Sequence, residues 1–358
     1  MSIDSILNSI NNIVWGPPLL LLVAGVGIYF TLKLKLLQFA HLPRAFNYIF
    51  KKEKGSDQSG DISAFGALAT ALAATIGTGN IVGVATAIQA GGPGAVFWMW
   101  LIALFGMATK YAECLLAVKF RTRDKDGFMT GGPMYYIELG MGQKWKWMAK
   151  LFAVFGIMVA LVGVGTFPQV NGITNAVNDT FSIPIPVTAI ILTLVTAAII
   201  LGGVKRISQI SMVIVPFMAI AYVLAALFIL AINFDKIPAT ITLIVEAAFN
   251  PQAALGGAVG FTVLKAIQSG VARGIFSNEA GLGSAPIAAA AAHTKEPVRQ
   301  GLISMTGVFL DTIIVCSMTG LVIVMTGVWT GPVAGASLTN LAFAEGLGSS
   351  IGAVIVTV

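Results

Sequence analysis

The feature that most constrains this chain is a series of nine apolar runs, each close to the length of a helix that crosses a lipid bilayer. A spanning helix needs about 20 apolar residues. We predict spans at 13–32, 63–90, 94–118, 149–177, 184–203, 208–232, 255–292 and 299–327, with a ninth that starts near 338. The pattern indicates an all-α polytopic membrane protein.

The composition excludes several other classes of protein. Of the 358 residues, 57% are hydrophobic and only 10% are charged, whereas soluble domains carry about 25% charged residues. This chain cannot cover a soluble core with polar side chains. A water-soluble enzyme, a disordered chain and a nucleic-acid-binding protein are therefore excluded.

The basic residues predict the orientation in the membrane. Seventeen of the 21 Lys and Arg residues fall in four alternate loops, 33–62, 119–150, 204–207 and 293–299, and the opposite side holds only Lys236. The positive-inside rule places these loops in the cytoplasm and the N-terminus outside the cell. The amphipathic segments 36–50 and 236–250 are predicted to lie along the membrane surface.

Six ionisable residues lie inside predicted spans, where a charge is costly and often functional. They are Lys110, Glu113, Lys265, Arg273, Glu279 and Asp311. Lys110 and Glu113 share a helix face, and we expect either a structural pair or a Lys110 that extends to the membrane surface. Lys265 either extends to the membrane surface or pairs with Asp311, and we expect a gating role for Arg273 and Glu279.

Two spans are interrupted by glycines and short polar residues, the first at 74–80 and the second at 273–284. Glycine permits backbone that is not helical, and lipid cannot satisfy the polar groups that an unwound helix exposes. The N–H groups that start a half-helix attract a carboxylate, whereas freed carbonyls suit an ammonium group or Na⁺. The alternative is that these glycines only allow close helix packing.

A pair of interrupted spans is typical of transporters built from inverted repeats. We divide the chain into 1–62 (an N-terminal transmembrane helix and an amphipathic segment), 63–232 (a first five-helix repeat) and 255–358 (a partial second repeat). A second repeat of about 170 residues would end near residue ~425. The repeat is therefore incomplete in this sequence, or the repeat interpretation is wrong.

A third polar segment, 163–171, lies within another span. Pro168 is predicted to loosen the helix around it. Phe167, Gln169 and Asn171 are then expected to line a site, and a plain kink is the alternative. The two cysteines, Cys114 and Cys316, have no metal-site or disulfide spacing and are predicted to be small buried side chains.

At these motifs the chain resembles the alanine or glycine:cation symporter family of bacteria and archaea, over nearly its whole length. The matching strings are Gly77-Thr78-Gly79-Asn80-Ile81, Gly91-Gly92-Pro93-Gly94-Ala95, Gly131-Gly132-Pro133-Met134-Tyr135-Tyr136 and Arg273-Gly274-Ile275-Phe276-Ser277-Asn278-Glu279-Ala280-Gly281. The resemblance implies a leucine-transporter-like fold of two inverted five-helix repeats after an extra N-terminal helix. It also implies inward transport of alanine or glycine with Na⁺.

The resemblance assigns roles to particular positions. The substrate would contact the following residues: Thr75, Gly77, Thr78, Gly79, Phe167, Gln169, Gly274, Ile275, Phe276 and Ser277. Backbone N–H groups at 77–79 would hold the carboxylate, and carbonyls at 274–276 would hold the amino group. A first Na⁺ site would use Thr75, Asn80 and Ser277, with Asp311 or Thr312. A second would use the carbonyls of Ala73 and Ile76, with further ligands beyond Val358.

We therefore expect a sodium-coupled symporter for small neutral amino acids that works by alternating access. It would act as a monomer in the cell membrane, bind no nucleic acid and need no cofactor beyond Na⁺ as the coupling ion. Proton coupling through Glu279 or Asp311 is the alternative. A channel needs a continuous polar lining and an enzyme needs an acid–base constellation; the sequence favours neither.

Overall fold

The computed structural model describes residues 5, 15–51, 53, 60–163, 165–250 and 262–357, and this part is mostly helical. Within the described residues, the first nine helices are α1 (Pro17–Lys33), α2 (Leu37–Ala40), α3 (Leu42–Phe50), α4 (Ala64–Thr75), α5 (Val84–Gly91), α6 (Gly94–Lys119), α7 (Pro133–Met141), α8 (Lys146–Val162) and α9 (Thr166–Phe181). The other nine are α10 (Ile185–Ile200), α11 (Gly203–Ile232), α12 (Ile237–Phe249), α13 (Val263–Asn278), α14 (Ala285–Ala290), α15 (Pro297–Val308), α16 (Ser317–Thr326), α17 (Gly335–Leu347) and α18 (Ile351–Thr357).

Shorter elements connect these helices. Two segments are π-helical, Gly79–Gly83 before α5 and Phe309–Cys316 between α15 and α16. Single 3₁₀ turns cover Gln143–Trp145, Phe234–Lys236 and Val328–Thr330. The strands β1 (Thr122–Arg123) and β2 (Met129–Thr130) form one antiparallel pair in the loop after α6.

The described helices fit a polytopic membrane protein. Four stretches are long and apolar enough to cross a bilayer: Gly94–Lys119, Gln143–Phe181, Gly203–Ile232 and Pro297–Thr326. The bent pair formed by Ala64–Thr75 and Gly79–Gly91 makes a fifth, and α1 and α10 are shorter apolar helices. By length and composition, the described part thus supports four of the nine predicted spans, or five if the bent pair is one span. The start of the span predicted at 255–292 lies outside the described residues.

Helix α6 lies at the centre of the molecule and packs against α1, α12, α13, α14 and α15. Small residues allow this close approach. A Cβ atom at Gly274 of α13 would lie 2.6 Å from Ile102 Cγ2 of α6, and one at Gly301 of α15 would lie 2.8 Å from the carbonyl oxygen of Tyr111. Since lipid tails are as apolar as the helices, such packing is what holds helices together in a membrane.

Two boundaries differ from the sequence prediction. The span predicted at 149–177 is divided at Gly163, which adopts a left-handed φ of +67° and ends α8. Pro168 is not the cause of this interruption, because it lies in the first turn of α9, where proline lacks only an N–H that has no helical partner. The second interruption begins at Glu279 rather than Arg273, because α13 continues to Asn278.

The two predicted amphipathic segments are helical, and both pack against the helical core. Helix α3 lies against α15 and buries Ala45 and Ile49, whereas α12 lies against α6 and buries Ile244 and Ala247. Their apolar faces therefore contact protein, and contact with the membrane surface remains a prediction.

The loop after α6 is tied to the loop after α14. The guanidinium of Arg121 donates hydrogen bonds to the carbonyl oxygens of Ala290 and Ala292, both at 2.8 Å, and to that of Thr294. Ile62, just before α4, forms an isolated parallel bridge with Ala292. Through these contacts, the segment before the first interrupted span and the loop after α6 are both joined to residues 290–294, which follow the second interrupted span.

Candidate functional site

The first interruption separates α4 from the half-helix that begins at Thr78, and the two parts are bent by 49°. The N–H of Gly77 donates to Asn80 Oδ1 at 2.8 Å. This N–H was expected to bind a substrate carboxylate, but the Asn80 side chain already accepts its hydrogen bond. Thr78 and Gly79 begin the half-helix, where N–H groups have no carbonyl one turn earlier to bond. The interruption predicted at 74–80 is confirmed.

A second polar group lies directly behind this interruption. Asp311 is fully buried, with 0% of its surface exposed. Its Oδ1 accepts from Asn80 Nδ2 at 2.8 Å, and its Oδ2 accepts from the hydroxyls of Ser277 and Thr312, both at 2.8 Å. We call Asn80, Ser277, Asp311 and Thr312 the Asp311 cluster. It joins the first half-helix, α13 and the π-helical segment Phe309–Cys316.

The Asp311 carboxylate has no charged partner among the residues that the structure describes, where it forms no ion pair with a lysine, arginine or histidine. An unpaired carboxylate in an apolar interior is strongly unfavourable. Three hydrogen bonds offset part of that cost, and a bound cation or a proton would offset the rest. Of the two alternatives for Lys265, pairing with Asp311 is wrong, because Lys265 is exposed near the start of α13.

The π-helical segment determines which side chains face Asn80. In an α-helix, residues five apart point about 140° away from each other. In a π-helix, whose hydrogen bonds join residues i and i+5, such residues lie on the same face. Cys316 and Asp311 accordingly both contact Asn80 and Ser277. Cys316 Sγ is 3.3 Å from both Asn80 Nδ2 and Ser277 Oγ. The prediction that Cys316 is buried is confirmed, but its polar contacts were not anticipated.

Asn278 is a second residue that the sequence prediction missed. Its Nδ2 donates to Thr312 Oγ1 at 3.1 Å, and its Oδ1 accepts from the backbone N–H of Ala280 at 3.0 Å. Asn278 therefore links the Asp311 cluster to the second interruption. Its position directly after Ser277, in the longest family-like string, was the signal that could have identified it.

The substrate contacts predicted at the second interruption, residues 274–276, are helical. Gly274 packs against Ile102 of α6, and the carbonyl of Ile275 accepts from the N–H of Glu279 at 2.8 Å. Phe276 is partly buried, and the guanidinium carbon of Arg273 lies 5.7 Å from its ring centroid. The helix ends when Glu279 adopts a left-handed φ of +53°.

The first and second interrupted spans touch at Gly79. A Cβ atom there would lie 3.0 Å from Ser277 Cα, so any side chain larger than that of glycine would make this approach of the half-helix to α13 very tight. Gln169 lies on the other side of the interruption, with its Oε1 3.7 Å from the Cβ position of Gly77. Phe167 is 68% exposed and lies over Gly163 of its own segment.

The end of α4 carries Ala73 and Ile76, which are expected at a second Na⁺ site, and Thr75, which is expected at the first. Ala73 is exposed, whereas Thr75 and Ile76 are buried. The hydroxyl of Thr75 and the N–H of Ile76 both point to the carbonyl of Leu72. The structure thus brings Asn80, Ser277, Asp311 and Thr312 together but does not join Thr75 to them.

Lys110 and Glu113 are two further buried charges of the described residues, and both bind backbone. Lys110 and Glu113 share a face of α6, but neither forms the expected pair. Lys110 Nζ donates to the carbonyl of Glu279 at 3.1 Å, and Glu113 Oε2 accepts from the N–H of Gly281 at 3.1 Å. Both side chains therefore fasten the second interruption to the central helix.

Comparison with known proteins gives a family. The sodium:alanine symporter family matches residues 1–358. A protein named only as an uncharacterized transporter in Haemophilus influenzae is 70% identical over 359 residues, which cover 100% of this chain and 78% of that protein. A sodium/alanine symporter of Methanococcus maripaludis is 51% identical over 349 residues, which cover 96% of this chain and 76% of the relative.

Proposed function

This chain belongs to the sodium:alanine symporter family, and we propose that it imports alanine and glycine together with Na⁺ by alternating access. The observation that carries the proposal is the buried Asp311 cluster beside the first interruption. It combines a carboxylate, hydroxyl oxygens and an asparagine with two backbone N–H groups at the start of a half-helix.

The cluster has the chemistry of a sodium site. Na⁺ prefers hard oxygen ligands, as other hard cations do. Asp311 supplies a carboxylate, and Ser277 and Thr312 supply two hydroxyls that both lie within hydrogen-bond distance of it. A Na⁺ ion held by these oxygens would neutralise the charge of the buried Asp311 carboxylate. That neutralisation would contribute to the binding free energy of the cation.

The substrate would bind at the adjoining interruption. The N–H groups of Thr78 and Gly79 lie at the start of a half-helix, where the helix dipole favours a carboxylate. Gln169 would close the opposite side. Gly79 packs closely against Ser277 beside this interruption, and the proposed site takes substrates with small side chains. Residues 274–276, Phe167 and Thr75 stay proposed contacts, as do Ala73 and Ile76 for a second Na⁺ site.

The proposed architecture is a leucine-transporter-like pair of inverted repeats. Rocking of one helix bundle against another around the site would expose it to each side of the membrane in turn. The proposed orientation places the Arg121 loop in the cytoplasm and the N-terminus outside the cell. We also propose that the carrier works as a monomer in the plasma membrane and needs no cofactor.

Replacement of Na⁺ by choline at fixed pH tests the proposal most directly. Uptake of radiolabelled alanine into vesicles should fall to background in choline, because the site then lacks its cation. Persistent uptake without Na⁺ would refute sodium coupling. Counterflow separates a carrier from a channel, because internal alanine accelerates uptake by a carrier only.

Proton coupling is the second candidate, and the observation that supports it is the same buried Asp311 carboxylate. A proton on Asp311 would remove the same unpaired charge that Na⁺ would neutralise. Uptake that persists in choline and is driven by an inward pH gradient would select this candidate over sodium coupling.

A further inference from the structure

Cys316 lies within the Asp311 cluster, although cysteine is not an expected neighbour of an alkali-cation site. Its side chain is buried, with 2% of its surface exposed. Its sulfur contacts Asn80 Nδ2 and Ser277 Oγ, both at 3.3 Å. These two partners belong to different elements, the first half-helix and α13.

The number of hydrogen atoms in the cluster determines which hydrogen bonds Cys316 donates and accepts. The Ser277 hydroxyl has one hydrogen, and the charged Asp311 Oδ2 at 2.8 Å is a better acceptor than a thiol sulfur. The S–H of Cys316 therefore donates to Ser277 Oγ. Asn80 Nδ2 has two hydrogens and three acceptors, namely Asp311 Oδ1, the Asp311 carbonyl oxygen and Cys316 Sγ.

Sulfur is too soft to be a good ligand for an alkali cation, but it is larger than oxygen. It lies between Ser277 Oγ, a proposed cation ligand, and Asn80 Nδ2, which donates to the Asp311 carboxylate. It therefore fixes the distance between one ligand and the amide that holds another. The π-helical segment is what places it there, because a regular α-helix would turn Cys316 away from Asp311.

We infer that Cys316 is a positioning residue that sets the sodium affinity of this site and its preference for Na⁺ over Li⁺. The inference rests on the proposed sodium-coupled transport and deepens it. Without the sulfur, Asn80 and Ser277 are held less firmly, and the cation cage becomes less matched to the size of Na⁺.

The test measures alanine uptake in vesicles as a function of Na⁺ concentration, and again with Li⁺. Cys316→Ala should raise the half-saturating Na⁺ concentration by roughly threefold to tenfold, as loss of about one hydrogen bond would, with a nearly unchanged maximal rate. Cys316→Ser restores a hydrogen-bonding group of smaller size. It should recover part of the sodium affinity and raise uptake with Li⁺ relative to Na⁺.

Cys114→Ala is the matched control, because Cys114 is the other cysteine of the chain and is also buried, on α6 beside Ser304. Identical sodium curves for Cys316→Ala and Cys114→Ala would overturn the inference about Cys316 and leave the proposed sodium-coupled transport intact. Uptake by the unchanged protein without Na⁺ would instead refute the proposed function, and the inference with it.

A second measurement covers the case in which Cys316→Ala does not fold. In Cys114→Ala protein, Cys316 is the one thiol left among residues 1–358. Na⁺ should slow its reaction with methylmercury relative to choline, because a filled cation cage holds Ser277 and Asn80 against the sulfur. Equal rates in the two salts would contradict the inference.

Discussion

Asn80 Nδ2 lies 2.8 Å from Asp311 Oδ1, although 231 positions of the chain separate the two residues. Asn80 also accepts the N–H of Gly77 through its Oδ1. One side chain thus caps the first half-helix and holds the buried carboxylate. This contact couples the proposed substrate site to the proposed cation site, because movement of the half-helix also moves a partner of Asp311.

Asp311→Asn should remove most of the sodium dependence of transport. The substitution keeps the size of the side chain but removes the charge that a cation would neutralise, and we expect the half-saturating Na⁺ concentration to rise by about tenfold or more, equivalent to ~1.4 kcal/mol. Sodium titration of alanine uptake measures it. Asp235→Asn, at an exposed position of a 3₁₀ turn, is the control. An unchanged sodium curve would exclude Asp311 from the cation site.

Gly79→Val should abolish uptake. A Cβ atom at Gly79 would lie 3.0 Å from Ser277 Cα, so the added side chain would push the half-helix away from α13. Gly156→Val is the matched control, since a Cβ atom at Gly156 of α8 meets no atom within 4 Å. Both variants are assayed at equal amounts of protein in the membrane. Normal uptake by Gly79→Val would refute the proposed pocket.

Gln169→Leu should raise the KM for alanine without a change in the sodium requirement. Gln169 approaches Gly77, and leucine has similar size but cannot donate or accept a hydrogen bond, which predicts a loss of roughly tenfold. Alanine uptake at saturating Na⁺ gives KM and the maximal rate. Gln143→Leu, exposed in a 3₁₀ turn, should behave as the unchanged protein. An unaltered KM would place Gln169 outside the substrate site.

Arg121→Lys should destabilise the protein. An ammonium group cannot reach three carbonyls with the geometry of a guanidinium, so at least one of the acceptors at Ala290, Ala292 and Thr294 loses its donor. We expect a loss on the order of 2 kcal/mol, seen as a lower midpoint of thermal unfolding in detergent. Arg123→Lys, whose guanidinium bonds within its own loop at Gly127, is the comparison. Equal midpoints for the two variants would show that Arg121 does not hold this face together.

The interruptions illustrate how far a sequence-based prediction reaches. Gly77 and Gly79 located the first interruption because helix disruption there depends on local backbone freedom. The second was placed too early, at Arg273, because Gly274 looks like a helix breaker. In the structure Gly274 stays helical, since its missing side chain allows contact with Ile102 of α6. A glycine needed for packing and a glycine needed for unwinding have the same sequence signal.

The contacts of the buried charges could not be read from the chain. Helical spacing correctly placed Lys110 and Glu113 on one face, but each binds the loop after α13 instead of the other. Cys316 gave no signal at all, because its contact with Asn80 depends on a π-helical segment. One residue of extra length per turn changes which side chains face the site.

The sequence by itself determined the membrane class, the two polar interruptions and the family, because these follow from hydropathy, backbone freedom and local motifs. Only the tertiary structure decided that Asn80, Ser277 and Asp311 meet, and that Cys316 joins them. Those contacts link segments more than 30 positions apart in the chain. They depend on helix packing and helix phase, which no local pattern of residues encodes.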